Sequence, residues 1–140
     1  MKKPFKSIQF RRATEVPKGW GKEVRIVNET VLDEEEFPTG YSGKLLVYDK
    51  AGAVSSMHFH TVKHETFYVL SGRFVFSFYN PENAEKVIIV LVGGDIVSIP
   101  TSNPHQISCE APGTIIEFAS TDYSWDNYRV EKGDSQRSSA

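Results

Sequence analysis

Between Glu23 and Ala119 the chain is a succession of short runs rich in Val, Ile, Phe and Tyr, each cut off by Gly, Pro, Asn or Asp. An amphipathic helix needs apolar residues at i, i+3, i+4 and i+7 behind a capping residue, and no window offers a convincing example. The runs instead predict strands over roughly 23–27, 44–48, 54–60, 65–70, 73–79, 86–92, 96–99, 105–109 and 114–119. Lys50-Ala51-Gly52, Ser71-Gly72, Asn80-Pro81-Glu82-Asn83, Gly93-Gly94-Asp95 and Ala111-Pro112-Gly113 supply the turns. Many short strands at this spacing predict an all-β sandwich or barrel.

The 140 residues have room for one hydrophobic core. Residues 1–22 are basic and irregular and are expected to form an N-terminal arm, lying across the domain or against a second subunit. Residues 23–132 are expected to form the barrel, and the Ser-rich stretch 133–140 a frayed tail. The charge run Asp33-Glu34-Glu35-Glu36 is expected to be a solvated loop.

Hydrophobic residues at 39% and charged residues at 24% exclude a disordered chain. A net charge of −2 lacks the basic excess typical of a nucleic-acid-binding domain. The longest apolar run, Val87 to Val92, is six residues, whereas a spanning helix takes about 20. No apolar stretch follows the basic N-terminus, so a secretory signal is not expected. The single cysteine, Cys109, makes no internal disulfide, and a reducing, cytoplasmic home is the expectation.

Chemistry concentrates in the histidines: His58, His60, His64 and His105 are all the chain has. Alternate side chains of a strand share a face, so His58 and His60 are expected to project together, with Cα atoms roughly 7 Å apart. Two imidazoles at that spacing can share one metal ion. Glu65 follows after a gap that fits a tight turn, and is expected to open the neighbouring antiparallel strand and bring a carboxylate alongside. His105, directly after Pro104, is expected to reach the same point from across a closed barrel. Three neutral imidazoles and a carboxylate suit one divalent ion, and Zn, Ni, Fe, Mn and Co all remain open. His64, one residue before Glu65, faces away if the strand is regular; its functional reading is a proton shuttle.

The pattern Gly52-x5-His58-x-His60-x4-Glu65-x6-Gly72 resembles the first motif of the cupin superfamily. Gly94-x5-Pro100-x-Ser102-x2-His105-x3-Cys109 resembles the second, with Ser102 where cupins usually have Gly and Cys109 where they usually have Asn. The first departure bears on a turn, the second on a wall position; neither removes a ligand. The resemblance spans about residues 43–120. It implies a single-domain jelly-roll β-barrel with few or no helices, and a divalent metal held by His58, His60, Glu65 and His105. Trp20-Gly21, the segment from His64 to Gly72 and the Arg-containing ending Tyr128-Arg129-Val130-Glu131 are similar to mannose-6-phosphate isomerase-like cupin domains, which often carry Gln where His58 stands.

That likeness implies a metal-dependent isomerase or epimerase acting on a sugar or sugar phosphate, with Glu65 or His64 as catalytic base. Lys44, Arg129 and Lys132 are candidate anion-binding groups. Alternatives are an iron-dependent cupin dioxygenase and a non-catalytic metal-containing sugar-binding module. The run from Phe74 to Tyr79 puts apolar groups on both strand faces, and a homodimer covering the outer one is expected.

Overall fold

The computed structural model describes residues 7–32 and 38–137. The charge run at 33–36 and the lysines at 2, 3 and 6 lie outside the described residues. Among the described residues there are eleven strands: β1 (Thr14–Lys18), β2 (Gly21–Leu32), β3 (Pro38–Tyr48), β4 (Met57–Phe59), β5 (Glu65–Val69), β6 (Arg73–Tyr79), β7 (Lys86–Val92), β8 (Ile96–Ile99), β9 (His105–Ala111), β10 (Gly113–Ala119) and β11 (Tyr128–Glu131). One short helix, α1 (Asp134–Arg137), follows. The strands form a six-stranded sheet ordered β1-β2-β3-β10-β5-β8 and a five-stranded sheet ordered β11-β4-β9-β6-β7. This is the all-β jelly-roll architecture expected for a cupin.

Alternation decides what each sheet buries. Along β5, Glu65, Phe67 and Val69 are buried while Thr66 and Tyr68 are partly exposed. Along β9, His105, Ile107 and Cys109 point inward in turn. Tyr48, Phe74, Phe76, Val69, Ile115 and Cys109 belong to one core between the sheets, each large apolar side chain contributing about 1.5–3 kcal/mol by leaving water. Trp20 stacks on Tyr48 with ring centroids 4.5 Å apart, so it plugs the barrel as part of that core.

Three sequence expectations need correction. Thr14–Lys18, placed in the arm, pair antiparallel with β2, from Thr14↔Arg25 to Lys18↔Gly21; Pro17 is tolerated there because β1 is an edge strand. The tail's start is docked: Gly133 is buried, Asp134 accepts a hydrogen bond from Val54 N at 2.8 Å, and Gly19 N donates to Ser135 Oγ at 3.1 Å. Finally, the run at 54–60 yields only the short β4, with Val54 bridging to Ser108 and His60 just past the strand end.

Gly72 has φ +90°, and a Cβ there would stand 2.7 Å from Ala111 O, so only glycine fits that turn. Ser102, where the related motif has glycine, adopts the left-handed conformation all the same, with φ 62°. Its N–H donates to His60 O at 2.6 Å, which ties the turn before β9 to the histidine segment.

Candidate metal centre

His58, His60, Glu65 and His105 converge, each offering one ligand atom, with all of these atoms within 4.8 Å of one another. The elements supplying them differ from the sequence expectation. His105 is the register partner of His58 across the β4–β9 ladder, so it lies beside the pair and not across the barrel. Glu65 is the group that comes from across: β5 pairs with β10 and β8 in the other sheet. The chain leaves one sheet at His60 and joins the other at Glu65.

Second contacts fix the imidazoles. Nδ1 of His58 donates to Ser56 O at 2.9 Å, Nδ1 of His60 to Asp126 O at 2.5 Å, and Nδ1 of His105 to Asn103 O at 2.9 Å. With Nδ1 protonated, each Nε2 keeps its lone pair, the tautomer a metal ligand needs. His60 Nε2, His105 Nε2 and both Glu65 oxygens are buried without a hydrogen-bond partner. His105 Nε2 stands 2.7 Å from Glu65 Oε1, and His60 Nε2 stands 3.7 Å from the same oxygen. Orphaned buried polar atoms cost about 1–3 kcal/mol each, and one ion satisfies all of them. Donors about 2.1 Å from a common ion lie at most about 4.2 Å apart, close to the spread seen. The residues fit one divalent metal ion.

Burial drives the His58 pKa down to about 3, with His105 adding to the effect, and burial followed by the Lys63 charge lowers that of His60. Both rings are therefore neutral and ready to ligate. Burial opposes charge on Glu65, but His105 and Lys63 outweigh it and hold its carboxyl well below the usual range.

The sequence reading passed over Lys63 and Glu117, which stand behind Glu65 beside the anion-binding candidate Lys44. Lys63 Nζ is 3.3 Å from Glu65 Oε2, 3.8 Å from Glu117 Oε2 and 3.8 Å from Asp122 Oδ2. Lys44 Nζ is 3.7 Å from Glu117, 3.5 Å from Glu23 and 3.5 Å from Asp122. Burial, then the neighbouring Glu65, push Glu117 up to about 8. Strand alternation carried a signal for Glu117, two after the inward Ile115 on β10, but not for Lys63, which lies in the loop before β5. Lys44 loses from burial but gains more from Glu117, Glu23 and Asp122, so it stays cationic.

Above the cluster opens a cavity of about 590 Å³, with Lys44, Lys63, Glu117, Arg129 and Trp20 among its walls. Lys44 and Arg129, two of the candidate anion-binding groups, line this cavity; Lys132 does not. His64 is exposed and is not among its walls. Glu65 has one oxygen toward the histidines and the other toward Lys63, which suits a ligand better than a free base.

A family model described as Cupin domain matches residues 45–119. No curated protein matches the sequence. Among solved structures, the chain is similar to capsular polysaccharide assembling protein CapF from Staphylococcus aureus, with TM-score 0.66 and 19% identity over 85% of this chain and 34% of that one. It is also similar to oxalate decarboxylase from Bacillus subtilis, with TM-score 0.66 and 17% identity over 84% of this chain and 30% of that one. The chain thus spans about a third of the length of these structures, and the likeness is one of fold.

Proposed function

The chain belongs to the cupin family, and from that premise we propose that it is a metal-dependent isomerase or epimerase of a sugar or sugar phosphate. The observation that carries this reading is the placement of Glu117 between Lys44 and Lys63, in the cavity wall next to the Glu65 end of the metal cluster. A divalent ion held by the cluster supplies Lewis-acid polarisation of a carbonyl oxygen. Glu117 is the base: it takes the proton from the carbon next to the carbonyl and returns it to the neighbouring carbon or to the opposite face. A carboxyl raised toward neutrality is suited to moving a proton both ways. Lys44 and Lys63 balance the charge that develops on the substrate oxygens. Arg129, in the cavity wall, would meet a substrate anion.

Metal-loaded protein is incubated in D2O with aldoses and their phosphates and followed by proton NMR. Deuterium is expected to enter at carbon 2 of at least one, and Glu117→Gln is expected to slow exchange about 10²–10⁴-fold while metal stays bound. Absence of exchange throughout the panel overturns the reading. Oxygen uptake by the ferrous protein marks the dioxygenase alternative, and ligand recovered unchanged after calorimetric binding marks the non-catalytic module.

A further inference from the structure

Lys44 and Lys63 share two carboxylates between them in the same way. Asp122 Oδ2 stands 3.5 Å from Lys44 Nζ and 3.8 Å from Lys63 Nζ. Glu117 Oε2 stands 3.7 Å and 3.8 Å from the same two atoms. Two ammonium groups and two carboxylates thus close a ring in the cavity wall. Glu117 enters it from β10, is 3% exposed, and leaves Oε2 without a hydrogen-bond partner. Asp122 enters from the loop between β10 and β11, and 34% of its side chain is exposed.

The backbone that carries Asp122 is tied to β2. Asp122 N donates to Asn28 Oδ1 at 2.9 Å, and Asn28 Nδ2 donates back to Asp122 O at 2.9 Å. One residue earlier, Thr121 Oγ1 donates to Glu29 O at 2.6 Å. The carboxylate is therefore presented to the cavity from a fixed point, as proton transfer requires. Its acidic neighbours are committed elsewhere. Glu23 meets Lys44 at 3.5 Å, but Arg25 at 3.1 Å and Lys18 at 3.5 Å also hold it, and only 9% of its side chain is exposed. Glu65 is a ligand of the metal cluster.

Conversion of an aldose to a ketose needs two proton transfers. One carries hydrogen from carbon 2 to carbon 1, and the other carries it from the oxygen on carbon 2 to the oxygen on carbon 1. Inversion at a single carbon needs only the first kind. We propose, on the footing of the sugar-isomerase reading above, that Asp122 is a second catalytic residue that moves the oxygen-bound proton, so that the reaction is an aldose–ketose isomerisation and not an epimerisation. Glu117 takes the proton from carbon 2; that bonding pair becomes the second bond between carbons 1 and 2, and the carbonyl pair withdraws onto the oxygen of carbon 1. Asp122 takes the proton of the hydroxyl on carbon 2 and delivers it to that oxygen. The carbonyl then forms at carbon 2 as carbon 1 takes the proton back from Glu117. Both carboxylates end as they began, and no oxidant or reductant is consumed. The shared lysines set the two acids side by side, which lets one reach a carbon and the other the oxygens attached to the same pair of carbons.

The test reads two rates by proton NMR in D2O, with the full, metal-loaded chain and the same panel of aldoses and aldose phosphates: deuterium entry at carbon 2 of the recovered aldose, and appearance of the ketose. Asp122→Asn is expected to slow ketose formation about 10²–10⁴-fold while deuterium entry stays within about threefold of the wild type. Glu117→Gln is expected to lower both together. Asn28→Ala frees the backbone of Asp122 without touching its carboxylate, and is expected to give the same split by up to about 10²-fold. Elemental analysis is expected to find wild-type metal in Asp122→Asn and Asn28→Ala. If the two rates fall in parallel in Asp122→Asn, or metal is lost from it, Asp122 is only a charge partner of the lysines and the proposal is overturned. Unimpaired ketose formation in Asp122→Asn, or a wild type that makes an epimer and no ketose, overturns it as well while leaving the reading of Glu117 intact. A wild type that exchanges no sugar strikes the isomerase reading itself, and the role of Asp122 with it.

Discussion

Asp126 holds His60 from 66 residues away in sequence: its backbone carbonyl accepts the Nδ1 proton of His60 at 2.5 Å. Its carboxylate meanwhile accepts from Thr61 N at 2.6 Å, Thr61 Oγ1 at 2.8 Å, Val62 N at 3.0 Å and Lys63 N at 2.8 Å. One residue thereby shapes the crossing from His60 to Glu65 and sets the tautomer of a ligand.

Asp126→Ala keeps the backbone carbonyl that accepts from His60 but removes the carboxylate that holds Thr61, Val62 and Lys63, and is expected to weaken metal binding about 10–100-fold by loosening the segment between two ligands. Competition with a coloured chelator measures it. Asp126→Asn, which keeps one acceptor oxygen, is expected to fall between. Wild-type affinity in both variants would show that the crossing holds its shape without the carboxylate.

Removing a ligand has a larger effect. His58→Ala, His60→Ala or His105→Ala is expected to abolish stoichiometric metal in elemental analysis of the purified protein. For the wild type, free ion at about 100 times its dissociation constant adds about 2.7 kcal/mol of stability, which raises the melting temperature by on the order of 10 °C. A melting curve indifferent to chelator contradicts the site.

Lys63→Met leaves Glu65 and Glu117 facing each other without their shared cation. Breaking a buried ion pair from one side costs about 3–5 kcal/mol. The double variant Lys63→Met/Glu117→Gln is expected to recover part of that loss, because the repulsion between Glu65 and Glu117 is gone and only Glu65 keeps its charge. Urea unfolding of metal-free protein reads both, and additive losses would exclude the coupling.

The metal-free protein should also show a stability maximum near pH 6.5. The depressed pKa values of His58 and His60 mean that the unfolded chain binds protons the fold refuses, so stability falls as pH drops below about 6.5, and for His58 continues to fall toward about 3. Glu117 acts in the opposite sense. Its raised pKa contributes stability that is complete below about 4.5 and drains away as pH climbs through about 8. Between 4.5 and 6.5 two histidines oppose one carboxyl; above 6.5 the carboxyl acts alone. Denaturant midpoints from pH 4 to 9 check the shape, and a flat profile would refute it.

Ser102→Gly is expected to stabilise the fold by up to about 1 kcal/mol, since a non-glycine residue in the left-handed region costs roughly 1–2 kcal/mol and the more flexible glycine returns part of that through the unfolded chain. A lowered melting temperature would mean that the serine makes a compensating contact.

The ligand set was legible because residue type and period-two spacing identify donors that share a face. Their assignment to sheets was not. A four-residue gap between His60 and Glu65 reads locally as a hairpin, and what sends the chain to the other sheet is Asp126, invisible to any window around the gap. β1 was hidden for a related reason: Pro17 speaks against a strand unless one knows that it lies at an edge. Glu117 was visible in principle through alternation, yet charged residues are read as surface by default; Lys63 lies in a loop, where alternation says nothing.

The histidines belong to the five-stranded sheet and its edge, while Glu65 belongs to the six-stranded one. The four side chains therefore form a clasp between two leaves that are otherwise held at the far end by apolar packing. Stripping the clasp should let the leaves part from the cavity end first, like a book opening away from its spine. Amide exchange in metal-free protein would then quicken around His60 and Glu65 while the strands around Phe74 and Ile115 stay shut.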